Sequence, residues 1–397
     1  MNPGIAKLSQ IAQKKERLII GLMSGTSLDG LDIALCRIQS SGTATQLHLE
    51  RFETMDYRPS FRTNVREIFA KRSIDQQTLC GLNPYIAEVH ADLILQALQQ
   101  WGLKAAAIDL IASHGQTVYH APQSLTGDRA LPNSTLQLGD GDHIAVRTGI
   151  ITLSDFRQKH LAAGGEGAPL AAYGDYLLFS DPTENRILLN IGGISNFTFL
   201  PAQATTAQAY ATDLGPGNTM MNQYMEVHFQ QEMDKDAALA RQGKVIPELL
   251  QELQSEDFLK LDFPKTTGPE LFNLRFLEQA IQRLRTQELA HADIMATLNH
   301  FAASSIIDGI QRATRHLDGF TVYVSGGGLH NPLLLEQIQA AFPGEVHSFT
   351  KLGLNPDAKE ACLFAVLANE TLVGEPSSVS QIKDSPAICM GKISLPY

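Results

Sequence analysis

Apolar residues fall along the chain in short runs that alternate between two spacings. LIIGLM, IALCRI, LIASHG, RILLNIGG, FTFL and FTVYVSGGG read as strands. Between them Leu82, Ile86, Val89 and Leu93, and later Ile294, Leu298 and Phe301, recur at helical spacing. Strands alternating with helices predict α/β layers.

The polar stretches between the runs carry more information than the runs. Residues 18–36 read LIIGLMSGTSLDGLDIALC: two apolar runs, Leu18–Ile20 and Ile33–Leu35, around a centre in which Gly21, Gly25 and Gly30 alternate with Ser24, Thr26, Ser27, Asp29 and Asp32. A plain hairpin needs far fewer small residues. About half a chain later ILLNIGGISNFTFL repeats the design of strand, Gly/Ser/Asn turn and strand. Backbone N–H groups in such turns approach phosphate oxygens without Cβ interference, and short hydroxyl side chains add donors. Two hairpins of one design, each opening a domain, suit a nucleotide held in a cleft between related halves. A third stretch, VSGGGLHNPLLLEQI (324–338), reads as strand, triple glycine and helix, which lets adenosine lie flat against backbone. No GxxxxGK[ST] loop occurs, and no GxGxxG precedes a helix.

Size and composition narrow the picture. A chain of 397 residues exceeds one ordinary core, so two domains are expected. Apolar residues at 44% and charged residues at 18% are globular values without a disorder signature. A net charge of −11 argues against nucleic acid or an anionic membrane as partner. No apolar run approaches the roughly 20 residues that span a bilayer, and the N-terminus lacks an apolar core before a small-residue cleavage site. Cys36, Cys80, Cys362 and Cys389 are far apart and form no CxxC pair, the pattern of reduced, buried thiols in a cytoplasmic protein. Without an HxxxH or Cys-rich pattern no zinc site is expected.

Seven segments, GLMSGTSLDGLD (21–32), ASHGQTVYH (112–120), DFRQKHLAAGGEGAPL (155–170), LNIGGISN (189–196), DLGPGN (213–218), TTGPELFN (266–273) and SGGG (325–328), span nearly the whole chain. In this order they resemble the anhydro-N-acetylmuramic acid kinases of the sugar kinase, heat-shock and actin ATPase superfamily. MSGTSLDG and the GGISN…GPGN combination are the most specific of them. The resemblance implies a two-domain actin-like (ribonuclease H-like) α/β fold with an interdomain ATP cleft. The first domain is expected over 1–155 and the second over 156–369, with 370–397 returning to the first. It also implies the reaction: ATP and water open the 1,6-anhydro ring of anhydro-N-acetylmuramic acid, and O6 is phosphorylated to give N-acetylmuramic acid 6-phosphate in cell-wall recycling. ATP with Mg²⁺ and a cytoplasmic homodimer complete the expectation. Nucleotide contacts are implied at Gly25, Thr26, Ser27, Leu28, Asp29, Gly30, Leu31, Asp32, Gly192, Gly193, Asn196, Gly326, Gly327 and Gly328. Sugar contacts are implied at His114, Gln116, Arg157, Gly215 and Asn218. The chain departs from the family at His160, where an acidic residue is usual, and in the residues before Leu18, which extend beyond the usual start.

Read for chemistry, Asp213 is the candidate general base for water. It precedes Gly215, Pro216 and Gly217, a turn that fixes its carboxylate, and the resemblance places the catalytic Asp here; the alternative is a turn-capping Asp. Asp29 and Asp32 either cap the hairpin or orient Mg²⁺ through water. Glu360, in KEACLFAVLA, either complements a helix dipole or, as the resemblance suggests, is the metal carboxylate. Arg157 follows the short strand ITLSDF and suits planar recognition of the lactyl carboxylate of muramic acid, against a surface salt bridge. His114 and Gln116 sit at a strand end, where α/β sites collect ligands, and are assigned to sugar contact. His160, His330 and His347 are read as structural. Two rival readings are a kinase of another anhydrosugar such as levoglucosan, which lacks the lactyl group, and a non-catalytic nucleotide-dependent sensor, against which an intact Asp213 argues.

Overall fold

The computed structural model describes residues 1–202, 207–284 and 289–397. The chain forms two compact units, Met1–Phe179 with Asp357–Tyr397, and Ser180–Pro356. The first is built on seven strands: β1 (Glu16–Ser24), β2 (Gly30–Gln39), β3 (Gln46–Asp56), β4 (Leu110–Ala121), β5 (Ser134–Leu138), β6 (Thr152–Ser154) and β12 (Lys392–Ser394). Their order is β12-β6-β4-β1-β2-β3, with β5 beside β4. β1 pairs antiparallel with β2 and parallel with β4, and β4 runs parallel with β6. The second unit holds β7 (Arg186–Ile191), β8 (Ile194–Leu200), β9 (Tyr210–Pro216), β10 (Thr321–Ser325) and β11 (Val346–Ser348) in the order β11-β10-β7-β8-β9. Here too the first strand is antiparallel to the second and parallel to the fourth. Each unit thus repeats one plan, an antiparallel three-strand meander whose first strand is joined on its other side by parallel strands. That is the ribonuclease H-like order, present twice.

Six strands coincide with the apolar runs: β1, β2, β4, β7, β8 and β10. β3 and β9 do not stand out in the sequence because both are edge strands. Only Met55 of β3 is fully buried, and β9 (YATDLGP) carries a Gly and a Pro that a central strand would not tolerate. Asp213 therefore lies within a strand and not before a turn, since β9 continues through Gly215 to Pro216.

The units meet at 179/180 and 356/357, displaced from the boundaries 155/156 and 369/370 drawn from the sequence. Packing explains the difference. The helix Lys359–Val373 lies on β1, β2 and β4, and the helix Ala171–Phe179 packs on it, tied by Lys359 Nζ to Asp175 Oδ1 at 2.7 Å. β1 is covered on both faces, so Ile19, Ile20 and Leu22 are all buried in a continuous apolar run. Gly21 sits among them because the helix backbone presses on it: a Cβ there would stand 1.9 Å from the Ala361 carbonyl oxygen. This contact seats the first turn of the helix, and Glu360 with it.

The core of the first unit gathers Ile20, Leu22, Ile33, Phe61, Ile86 and Ile111; that of the second gathers Leu189, Phe197, Phe272, Leu298, Phe301 and Ile306. The helical stripes fall as expected. Leu82 and Ile86 are buried on the helix Gln76–Gln100, whose N-cap Asp75 accepts from Thr78 N at 2.7 Å, and Ile294, Leu298 and Phe301 are buried on the helix His291–Thr314. All four cysteines are free thiols; Cys36 and Cys362 are buried, but Cys389 is only half-buried and Cys80 is exposed. Among the described residues no helix is long and apolar enough to cross a membrane.

Gly21→Ala drives a methyl group into a backbone carbonyl and not into a movable side chain, so a loss of about 3 kcal/mol is expected. The shift of the urea unfolding midpoint measures it. An unchanged midpoint would show that the helix does not rest on the β1 backbone.

Candidate active site

In the first unit the β1–β2 turn is held from below. Leu28 adopts a left-handed backbone (φ 61°) and buries its side chain in the core, which leaves Thr26, Ser27 and Asp29 at the surface. Behind the turn runs a buried chain of polar groups. Ser24 Oγ donates to Gln116 Oε1 (2.5 Å) and lies 2.7 Å from Tyr57 Oη, which lies 2.8 Å from His90 Nε2. Gln116 Nε2 donates to the Gly25 and Thr117 carbonyls at 3.3 and 3.1 Å. Burial pushes His90 down to about 3, so it is neutral here. Gln116 is fully buried and its amide bonds shape the turn. Leu31 is likewise in the core. Ligand contact at Leu28 and Leu31 is restricted to their main chain, beside Gly25, Thr26, Ser27, Asp29 and Gly30.

A second network fixes Arg157. Its Nε donates to His114 Nε2 at 3.0 Å and its Nη1 to the Gly167 carbonyl at 2.9 Å; Gly167 N in turn donates to His160 Nδ1 at 2.9 Å. Because His114 Nε2 accepts, its proton sits on Nδ1, which is buried without a partner among the described residues. Burial, with help from the Arg157 charge, holds His114 well below the usual histidine range and His160 at about 4. Both rings are therefore neutral acceptors at physiological pH. Arg157 is gripped on two sides and retains Nη2 without a partner among the described residues. His114 thus positions Arg157 and is itself buried. His160 accepts the same kind of backbone N–H bond that a carboxylate could.

Glu360 stands on the first turn of its helix, open to solvent yet closely surrounded by protein. That surrounding raises its pKa, Lys359 and Arg157 lower it, and Asp32 and Asp175 raise it further. Asp32 is also raised, by burial first, while Thr54 Oγ1 donates to its Oδ1 at 2.6 Å and Asp357 adds repulsion. Among the described residues no three His, Cys, Asp or Glu side chains converge as a metal cage.

In the second unit three glycine-rich turns meet at the C-terminal ends of the parallel strands β7 and β10, where ligands collect in such sheets. Gly217 N and Thr219 N donate to the Gly193 carbonyl (2.8 and 3.1 Å), and Asn218 N donates to that of Gly192 (2.9 Å). The first turn is thereby bound to the start of the helix Thr219–Phe229. Gly326 has φ 86°, and a Cβ on it would stand 2.7 Å from the Ile191 carbonyl oxygen, so the triple glycine passes tightly over the end of β7. Gly193 and Gly327 face solvent, and Asn218 Nδ2 is the nearest atom to a Cβ at Gly327, at 3.8 Å.

Asp213 is presented by a bulge. Ser195 pairs with Gly215 and Asn196 with Asp213, so Leu214 is the extra residue of β9. Its side chain enters the core against Gly309, where a Cβ would meet it at 2.3 Å. Asp213 N donates to the Lys265 carbonyl and Thr267 N donates to Asp213 Oδ2, both at 2.9 Å. Oδ1 has no partner among the described residues. Burial pushes the carboxyl up to about 6; the Thr267 bond and Lys265 restrain the rise, and Glu270 adds to it. Thr267, Lys265 and Glu270 lie in and beside the TTGPELFN segment (266–273), but spacing alone does not connect them with a strand more than 50 residues earlier.

A family model described as "Anhydro-N-acetylmuramic acid kinase" matches residues 17–393. A Pseudoalteromonas atlantica protein of that name is 52% identical, with the alignment covering 100% of each chain. One from Pseudoalteromonas translucida is 48% identical over 99% of each chain. One from Caldanaerobacter subterraneus is 37% identical, covering 98% of this chain and 100% of the relative.

Proposed function

This chain belongs to the anhydro-N-acetylmuramic acid kinase family, and from that premise we propose that it couples opening of the 1,6-anhydro ring by water to transfer of the ATP γ-phosphoryl group onto O6. The observation that carries the reading is Asp213: one carboxylate oxygen fixed by Thr267 N–H, the other open, and an ionisation near 6. Such a group is largely ionised at neutral pH and still basic enough to take a proton, which is what a general base requires. In the proposed step water attacks C1 and gives its proton to Asp213 Oδ1. The C1–O6 bond breaks, O6 takes the γ-phosphoryl group and ADP leaves. N-acetylmuramic acid 6-phosphate is the sugar product, and Asp213 later returns its proton to solvent.

The remaining roles follow from the geometry of each unit. The free edge of Arg157 suits the lactyl carboxylate, because a guanidinium already gripped on two sides loses little freedom on pairing. In the first unit Thr26, Ser27 and the backbone of the β1–β2 turn offer O–H and N–H donors suited to phosphate, and in the second unit the exposed glycines 193 and 327 offer backbone N–H donors of the same kind. Asn196 lies across the strand pair from Asp213; Gly215 acts through its backbone, and Asn218 faces the triple glycine. Asp32 and Glu360 fit Mg²⁺ as an ion held mostly by phosphate oxygens and water, since that metal commonly takes only one or two protein carboxylates. When bound, Mg²⁺ neutralises charge on the transferring phosphates. A cytoplasmic homodimer is part of the same proposal, from the family's habit.

Incubation with ATP and the anhydrosugar should yield a product heavier by one phosphoryl group plus one water. A gain of the phosphoryl group alone would mean an ordinary sugar kinase. Asp213→Asn should lower kcat by about 10²–10⁴, and wild-type kcat/KM should fall as pH drops through about 6 because the base becomes protonated. Near-normal turnover of folded Asp213→Asn would remove it as the base.

Gly327→Val tests the nucleotide turn. No atom lies within 3.8 Å of its Cβ position and its φ is not left-handed, so the variant should fold. Its ATP affinity by calorimetry should drop more than about tenfold while sugar affinity holds, the outcome for a side chain placed where a ligand meets backbone. Unchanged ATP affinity would take the triple glycine out of the nucleotide site.

A further inference from the structure

We propose that Lys265 is a positioning residue for the ring-opening step, anchoring from within the fold the segment that clamps Asp213. The proposal rests on the reading of Asp213 as the base. Lys265 is 8% exposed, and its Nζ donates to two backbone carbonyls, Phe258 (2.8 Å) and Leu259 (2.9 Å), at the end of the short helix Asp257–Lys260. The ammonium also lies over the Phe258 ring, 4.4 Å from its centroid, and 5.5 Å from that of Phe263. A buried cation is costly to desolvate, and an apolar side chain would fill the same space more cheaply. Packing therefore does not account for it.

What the cation holds is the other half of the Asp213 site. The Lys265 carbonyl accepts from Asp213 N, its own N–H donates to Thr212 Oγ1 at 3.0 Å, and two residues on, Thr267 N donates to the carboxylate. One end of the segment is thus bound along β9 and the other is anchored by the ammonium. Arg312 reinforces the anchor, donating to the Leu259 carbonyl at 2.7 Å and the Leu261 carbonyl at 2.9 Å. The groups acting on Asp213 are Thr267, Glu270 and Lys265; those acting on Lys265 are Arg312, Asp308 and Asp213. Burial and Arg312 bring Lys265 down to about 8, so it stays mostly charged at neutral pH. Its charge opposes the rise of the Asp213 pKa, and its removal moves that pKa higher.

The test uses full-length Lys265→Met and Lys265→Gln, with pH profiles of kcat/KM, the KM for ATP and thermal unfolding measured on each. The expected result is a kcat lower by about tenfold or more, a KM for ATP within about twofold of wild type, and an acid limb displaced to higher pH. Folded variants with the wild-type kcat and acid limb overturn the proposal, as does a lowered melting temperature with both kinetic features unmoved. If neither variant folds, Arg312→Met loosens the Leu259 carbonyl that Lys265 also holds, with the neighbouring Leu261 carbonyl, while leaving the Lys265 charge in place. A reduced kcat with an unmoved acid limb then supports the anchoring, and wild-type kinetics overturn it. Asp213→Asn, run in parallel, separates the two claims. An inactive Asp213→Asn beside wild-type-like Lys265 variants refutes only the role of Lys265, whereas an active Asp213→Asn refutes the base and the proposal together.

Discussion

Two hydrogen bonds made by Asp213 itself tie β9 to a segment more than 50 residues further along the chain: Asp213 N–H to the Lys265 carbonyl, and Thr267 N–H to Asp213 Oδ2. They fix the main chain and one carboxylate oxygen of the same residue, so the other oxygen is presented in a single orientation. The bulge at Leu214 supplies the rest of the constraint, because Leu214 is drawn into the core against Gly309 while Asp213 stays half-exposed. Position and basicity have the same origin. The burial that orients the carboxylate also raises its pKa, and the N–H bond that holds it keeps that rise moderate.

The first unit solves a different problem with similar means. Arg157 keeps Nη2 without a partner among the described residues, while its Nε and Nη1 donate to acceptors that carry no charge. His114 and the Gly167 carbonyl serve as those acceptors, and His160 fixes the Gly167 loop. A carboxylate in place of His114 would neutralise the guanidinium and weaken its attraction for an anionic ligand. A neutral imidazole holds it without that loss. The β1–β2 turn is built likewise, with Ser24, Gln116, Tyr57 and His90 bonded to one another beneath it so that the surface hydroxyls of Thr26 and Ser27 remain available.

The hairpins were legible in the sequence because glycine and hydroxyl residues between apolar runs have few other uses, and the repeat of that design anticipated two units of one plan. The edge strands β3 and β9 were not, since an edge strand need not be apolar and tolerates Gly and Pro. The unit boundaries were hidden for another reason. The polar stretches SDPTEN (180–185) and NPDAK (355–359) read like any other surface loop; the boundary follows from the helix Lys359–Val373 packing onto β1, which depends on the missing side chain of Gly21. Asp213 could be singled out by resemblance, but Thr267 and Lys265 could not be tied to it, because both links use backbone atoms of a loop distant in sequence. His114 and Gln116 make internal bonds, to Arg157 and to the β1–β2 turn, that their sequence positions do not disclose. A strand-end position does not reveal whether a side chain points to the ligand or to the neighbour that holds it.

The central claim, that Asp213 activates water against C1 while O6 leaves toward phosphorus, is tested most directly by running the reaction in heavy-oxygen water and sampling before the hemiacetal oxygen exchanges. The expected product carries the heavy oxygen at C1 and none in the O6–phosphorus bridge. Heavy oxygen in the bridge, or an unlabelled phosphorylated sugar with its anhydro ring closed, would contradict it.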